Sequence, residues 1–120
     1  MEVIEERKRL MKKVIKIASK WVMKLPFKVT AILIGSYARG DFNLWSDIDI
    51  LLLSEDFKAN PIDRLNALDI PPGFQVIPLT LKEFEKLLIK KNPMAIEAVN
   101  SGVILKDDFK LAEKIKASKS

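Results

Sequence analysis

The residues best suited to chemistry lie in one stretch, Gly35-Ser36-Tyr37-Ala38-Arg39-Gly40-Asp41-Phe42-Asn43-Leu44-Trp45-Ser46-Asp47-Ile48-Asp49-Ile50. Asp47 and Asp49 stand two apart at the head of an apolar run that continues to Leu53. In an extended strand, side chains two apart leave the same face, roughly 7 Å from one another along the backbone. Ile48 and Ile50 then point the other way, toward a core. Upstream, the run Lys28 to Ile34 stops at Gly35-Ser36 and turns through a short helical segment. A glycine there lets a ligand approach the backbone, while the Ser36 hydroxyl and the following amides face outward, an arrangement that suits phosphate oxygens. Gly40 permits the turn back into the next strand.

Two carboxylates converging near a phosphate cradle, with no lysine or arginine between them to cancel the charge, ask for a divalent cation. Oxygen ligands and phosphate suit Mg²⁺ or Mn²⁺. Such an ion would bridge to a triphosphate and stabilise charge during transfer at phosphorus. Separately, Gly-Ser is a common turn and Asp-x-Asp an ordinary solvated strand start. Their joint occurrence on adjacent strands carries the reading. Arg39 pairs either with a phosphate or with Asp41. Tyr37 and Trp45 read as packing around the loop rather than as stacking on a base, and Met11, Trp21 and Met23 likewise read as packing residues.

Composition narrows the chemistry further. The chain has no cysteine and no histidine, which excludes disulfides, thiolate catalysis, zinc fingers, iron–sulfur clusters and Ser-His-Asp machinery. Carboxylates, hydroxyls, lysines, arginines and backbone groups remain. A length of 120 residues fits one domain spanning 1–120, and 48% hydrophobic with 31% charged residues is a soluble globular composition. Residues 1–24 hold eight basic and three acidic side chains, which accounts for the whole net charge of +5. That strip reads as the solvated face of one helix. It could also attract phosphate or an acidic partner, but nucleic acid is not the expected partner. No apolar run approaches the ~18–20 residues of a membrane span, and the acidic start Met-Glu-Val-Ile-Glu-Glu-Arg is no signal peptide. A cytoplasmic protein without a membrane is expected.

The elements that must position the acids follow from periodicity and punctuation. Met11, Val14, Ile15, Ala18, Trp21, Val22 and Leu25 recur at helical spacing, predicting an amphipathic helix over 3–25 that Pro26 ends. Lys28–Ile34, Asp47–Leu53 and Phe74–Leu79 read as strands, the last set off by Pro71-Pro72-Gly73. Thr80 with Glu83 is a capping box opening a helix over 81–91. Asn92-Pro93 restarts a helix to about Ser101 that Gly102 closes. Val103–Leu105 forms a short fourth strand, and 107–117 a last helix. The order α-β-β-α-β-α-α-β-α predicts an α/β (α+β) domain with a small mixed sheet flanked by helices.

Gly35-Ser36, ten intervening residues and Asp47-x-Asp49 resemble the signature of the nucleotidyltransferase superfamily that includes DNA polymerase beta. The small size makes the chain most similar to the minimal nucleotidyltransferases, the MNT half of HEPN/MNT toxin–antitoxin pairs. The Ser-Tyr-Ala-Arg-Gly filling and Ser46 before Asp47 match as well. The tight resemblance covers residues 32–53, with looser likeness through Ile77-Pro78-Leu79-Thr80 and Glu83-Phe84. It implies the polymerase beta-like fold, phosphate binding by Gly35 and Ser36, and Mg²⁺ bound by Asp47 and Asp49. It further implies transfer of a nucleoside monophosphate, often AMP from ATP, to a hydroxyl with loss of pyrophosphate. In the toxin–antitoxin pairs the acceptor is a tyrosine of the HEPN ribonuclease, so a small helical HEPN-type toxin is the expected partner.

One departure matters. The family completes its metal site with a third acid on the next strand, a position that falls at or near Gln75, and no Asp or Glu occurs from Ile70 to Lys82. Glutamine cannot serve as a base, so the alternative to an active transferase is a catalytically impaired module of the same fold that binds nucleotide or its partner. If the strand alignment is different, another acid such as Asp69 or Asp63 reaches the site. The chain also has no room for an acceptor-binding domain, which implies a protein partner, a second copy of the chain, or both.

Overall fold

A computed structural model describes residues 2–58 and 60–114. The order is α1 (Glu2–Met23), β1 (Thr30–Ile34), α2 (Gly35–Arg39), β2 (Ile48–Leu53), α3 (Pro61–Asn66), β3 (Phe74–Leu79), α4 (Leu81–Ile89), α5 (Pro93–Ser101) and β4 (Val103–Asp107). The strands form one sheet in the order β3-β2-β1-β4. β1 runs antiparallel to both β2 and β4, and β2 runs parallel to β3, so the sheet is mixed as expected.

Alternation along the strands divides the core into two layers. Ala31, Leu33, Ile50, Leu52 and Val76 face α1 and pack on its Ala18 and Val22. Ile32, Ile34, Leu51 and Leu53 face the other way, onto Phe84 of α4 and Ala95 and Ala98 of α5. Because helices cover both faces, Ile50 to Leu53 are fully buried and this part of β2 is an unbroken apolar run. Each such side chain contributes about 1.5–3 kcal/mol when taken from water. Small residues at Ala95 and Ala98 bring α5 close to the sheet, and this proximity decides what reaches the acids.

Several boundaries move for identifiable reasons. α1 ends at Met23, and Leu25 closes its last turn through a bond from its amide to the Val22 carbonyl. β1 starts at Thr30 because the Val29 amide donates to the Asp108 side chain, outside the ladder. The capping box of Thr80 and Glu83 is present, as is Asn92 capping α5. The expected helix over 107–117 is corrected at its start. Asp107 is the last residue of β4, and its carboxylate accepts from the amides of Leu111 and Ala112, so helix begins only at 111. Residues 115–117 lie outside the described part. Two packing expectations are also corrected: Met23 is 64% exposed and Trp45 is 89% exposed. Trp21, by contrast, packs on the α1-side core and meets the Phe74 ring edge-on at 5.6 Å.

Candidate functional site

Strand register assembles the site. Ile34, the last residue of β1, lies opposite Asp49 of β2. The next residue, Gly35, turns at φ 77°, and a Cβ placed there would lie 2.2 Å from Asp49 Oδ2. Only glycine allows both the positive φ and this approach. Gly35 starts the five-residue α2, which Gly40 ends at φ 88°, its amide returning to the Ser36 carbonyl at 2.8 Å. The glycine–serine turn and the second acid of the pair are therefore in contact.

The loop from Gly40 to Asp47 is held by its own polar groups. Asn43 Oδ1 accepts from the Trp45 amide at 2.8 Å, and Ser46 Oγ accepts from the Asn43 amide at 2.9 Å. Tyr37 stacks on Phe42 with centroids 4.5 Å apart, which is the packing role expected of it. Arg7 of α1 lies over the same Phe42 ring and donates to the carbonyls of Gly40 and Phe42. One basic residue of the N-terminal strip thus braces this loop.

On the other side of β2, Gln75 of β3 sits directly beside Asp49 in the parallel ladder. The residue in register with the acid is a glutamine, and its side chain is exposed. Alternation puts Asp49 and Gln75 on the face covered by α4 and α5. The acid that reaches the site from that face is neither Asp63 nor Asp69 but Glu97 of α5. Its Oε2 accepts from the Gly35 amide at 3.3 Å, and its Oε1 accepts from Arg39 Nη1. Arg39 Nε also donates to Asp41 Oδ2 at 3.1 Å, so both carboxylates hold the guanidinium, which raises its pKa. Sequence reasoning missed Glu97. The signal was that it is the sole ionisable residue in Pro93–Ser101, set between the two alanines that seat the helix.

Asp49 leaves part of its carboxylate unused by the fold. Its Oδ1 is buried without a hydrogen-bond partner. Burial first, then the neighbouring charges of Asp47 and Glu97, push its pKa above the ordinary carboxylate value, while Arg39 pulls it down. No lysine or arginine lies between the two acids in sequence, but Arg39 of α2 stands close enough to be felt. Asp47 sits one residue before β2 and is exposed.

These residues fit a hard divalent cation in one specific sense. An orphaned carboxylate oxygen, a repelling acid pair and a glycine that leaves the carboxylate room are the features such an ion would satisfy. Among the described residues, however, no group of three acids is gathered to hold a metal. Two carboxylates need oxygen ligands from elsewhere, and phosphate is the natural supplier. A cleft of about 810 Å³ opens elsewhere, between the end of α1 and the α3–β3 connection, lined in part by Trp21, Phe27, Phe57 and Leu68. No residue of the acid pair or the glycine–serine turn lines it.

Residues 11–120 match the nucleotidyltransferase domain family, and the chain belongs to that family. The mixed sheet flanked by helices is the polymerase beta-like nucleotidyltransferase fold. None of the curated proteins matches the chain in sequence. Among solved structures it is similar to a protein of Sulfolobus solfataricus provisionally described as a nucleotidyltransferase. The two share 25% identity over 87% of this chain and 86% of that one, with a TM-score of 0.54. A toxin–antitoxin complex with AMP-PNP is 25% identical over 87% and 84% of the two chains, with a TM-score of 0.47. A mutant of the toxin–antitoxin MntA-HpeT is 24% identical over the same shares, with a TM-score of 0.46. The last two superpose too loosely to carry a functional argument.

Proposed function

We propose that this chain is a single-domain, minimal nucleotidyltransferase that moves a nucleoside monophosphate, AMP from ATP, onto a hydroxyl of a partner protein. The observation that carries the reading is the contact between the Gly35 turn and the Asp49 carboxylate, whose Oδ1 is buried and unpaired. An orphaned carboxylate oxygen costs about 1–3 kcal/mol unless something else uses it. Asp47 and Asp49 are the residues to hold Mg²⁺ or Mn²⁺, and Gly35, Ser36 and Arg39 those to hold the phosphates. The cation, once bound, supplies positive charge at the phosphates and at the attacking oxygen. The protein's part is to fix the acids on a buried strand, to keep Gly35 free of a side chain, and to offer Arg39 to the leaving phosphates. The acceptor oxygen bonds to the α-phosphorus, the bond from that phosphorus to the bridging oxygen breaks, pyrophosphate leaves, and the acceptor hydroxyl's proton passes to water.

The acceptor must come from outside this fold, and we assign it to a small helical HEPN-type toxin, which makes the chain an MNT-type antitoxin in the cytoplasm. Among the described residues no helix is long and apolar enough to cross a membrane. Incubating the purified pair with α-labelled ATP and Mg²⁺ tests the reading. Label is expected on the partner, and its appearance must depend on Asp47 and Asp49. Gln75 beside Asp49 supports a second reading, in which the chain binds nucleotide or partner but transfers poorly. On that reading Asp49→Asn still neutralises the toxin; on the first it does not.

A further inference from the structure

Glu97 holds the two groups that a phosphate would take. Its carboxylate accepts from the Gly35 amide and from the Arg39 guanidinium, reaching them from α5, 62 and 58 residues further along the chain. A carboxylate and a phosphate oxygen compete for such donors because both are hard anionic acceptors of charge-assisted bonds. A simple surface ion pair would need only Arg39. Here the second donor is a backbone amide in the turn itself, and Glu97 is three-quarters covered, its side chain 26% exposed. The bonds also work against the electrostatics. Glu97 adds negative charge beside Asp49, whose neighbour Asp47 already repels it, so the arrangement is one that an arriving cation and phosphate would rearrange.

We propose that Glu97 is a positioning residue that stands in for a phosphate in the ligand-free chain. It keeps Gly35 and Arg39 in the geometry a triphosphate uses, and it is displaced when one binds. The proposal rests on the nucleotide reading above but concerns the phosphate donors alone, so it is tested without base or metal.

The probe is inorganic tripolyphosphate in the presence of EDTA, titrated calorimetrically into wild type, Glu97→Gln and Glu97→Ala, each also with Arg39→Ala. Freeing a charge-assisted donor pair should tighten tripolyphosphate roughly five- to tenfold in Glu97→Ala, with the isosteric Glu97→Gln between it and wild type. With Arg39 already removed, the gain should shrink to less than about twofold, because most of the competition is gone. In the amide NMR spectrum, the Gly35 resonance should move in wild type on adding tripolyphosphate and should start displaced in Glu97→Gln. An unchanged or weaker affinity without Glu97 overturns the proposal. So does an equal gain with and without Arg39, which would mark a diffuse charge effect. Mg-ATP titrated into wild type separates the two ideas. A chain that binds tripolyphosphate as described but not Mg-ATP loses the nucleotide reading and keeps the role of Glu97. A chain that binds Mg-ATP normally and is indifferent to Glu97 loses only that role.

Discussion

Two carboxylates in this chain are built alike and end up differently. Glu83 accepts from the Thr80 amide at 2.9 Å and from Arg64, whose Nη1 lies 2.6 Å from Oε1 and Nη2 3.2 Å from Oε2. Glu97 accepts from the Gly35 amide and from Arg39. Each acid therefore takes one backbone N–H and one arginine. Arg64 is buried, 3% exposed, and also donates to the carbonyls of Lys58 and Pro78. Arg39 is 43% exposed and shared with Asp41. Around Glu83 the charges close, and its carboxyl is held at about 2, first by the Arg64 bond and then by the Thr80 amide. Around Glu97 they do not close, because Asp49 stands beside it with an unpaired oxygen and a raised pKa. The same pairing serves as a clamp where burial fixes the arginine, and as a replaceable contact where the arginine is open to water and a surplus acid is present.

The comparison breaks most visibly at Asp49. Asp49→Asn should lower nucleotidyl transfer by about a hundredfold or more, while the thermal midpoint holds or rises because an unmatched buried charge has been removed. A simultaneous loss of stability would mean that Asp49 belongs with the structural cluster after all. Next in size, Arg64→Ala should cost about 2–3 kcal/mol in urea denaturation, since it strands two carbonyls and loosens Glu83. Arg39→Ala should leave the urea midpoint where it was. Equal losses from the two arginines would erase the distinction. Gln75→Glu sharpens it from the other side. A carboxylate in register with Asp49 should raise metal-dependent transfer by about tenfold, the equivalent of one charge-assisted contact, and should lower stability measured without metal.

The smallest effect is one of pH. Glu83 has a folded pKa near 2 against an ordinary 4.5. A depressed carboxylate stabilises the fold above its unfolded value and loses that contribution as pH falls from 4.5 toward 2. Its side chain is 42% exposed, so the contribution is about 1 kcal/mol after screening. Urea midpoints of wild type should drop across that window, and those of Glu83→Gln should drop less.

What the sequence made legible was whatever short-range geometry decides. Gly35, Ser36, Asp47 and Asp49 flank the connection between two adjacent antiparallel strands, so their spacing alone brings the turn to the acid. The Thr80–Glu83 capping box and the Asn92 cap are local too. Gln75 could be placed because the family resemblance puts a third acid on the next strand, and the gap without acids from 70 to 82 made the outcome the same for any nearby register. Glu97 was missed because its approach depends on how closely α5 lies over the sheet, and the one local sign of it, a lone acid between two alanines, names no target. The partners of Arg39 were left open between phosphate and Asp41. Asp41 is one of them, and the other is this same distant glutamate. Trp45 and Met23 show the converse limit: large apolar side chains suggest packing, but a pinned loop tip and a helix's outer face expose them.

The exposed side chain at position 75 sits on an edge strand whose pairing runs through the backbone. A glutamine codon becomes a glutamate codon by one base change, and no packed neighbour resists the exchange. A carboxylate can therefore be set beside Asp49 by a single mutational step, with no change elsewhere in the fold.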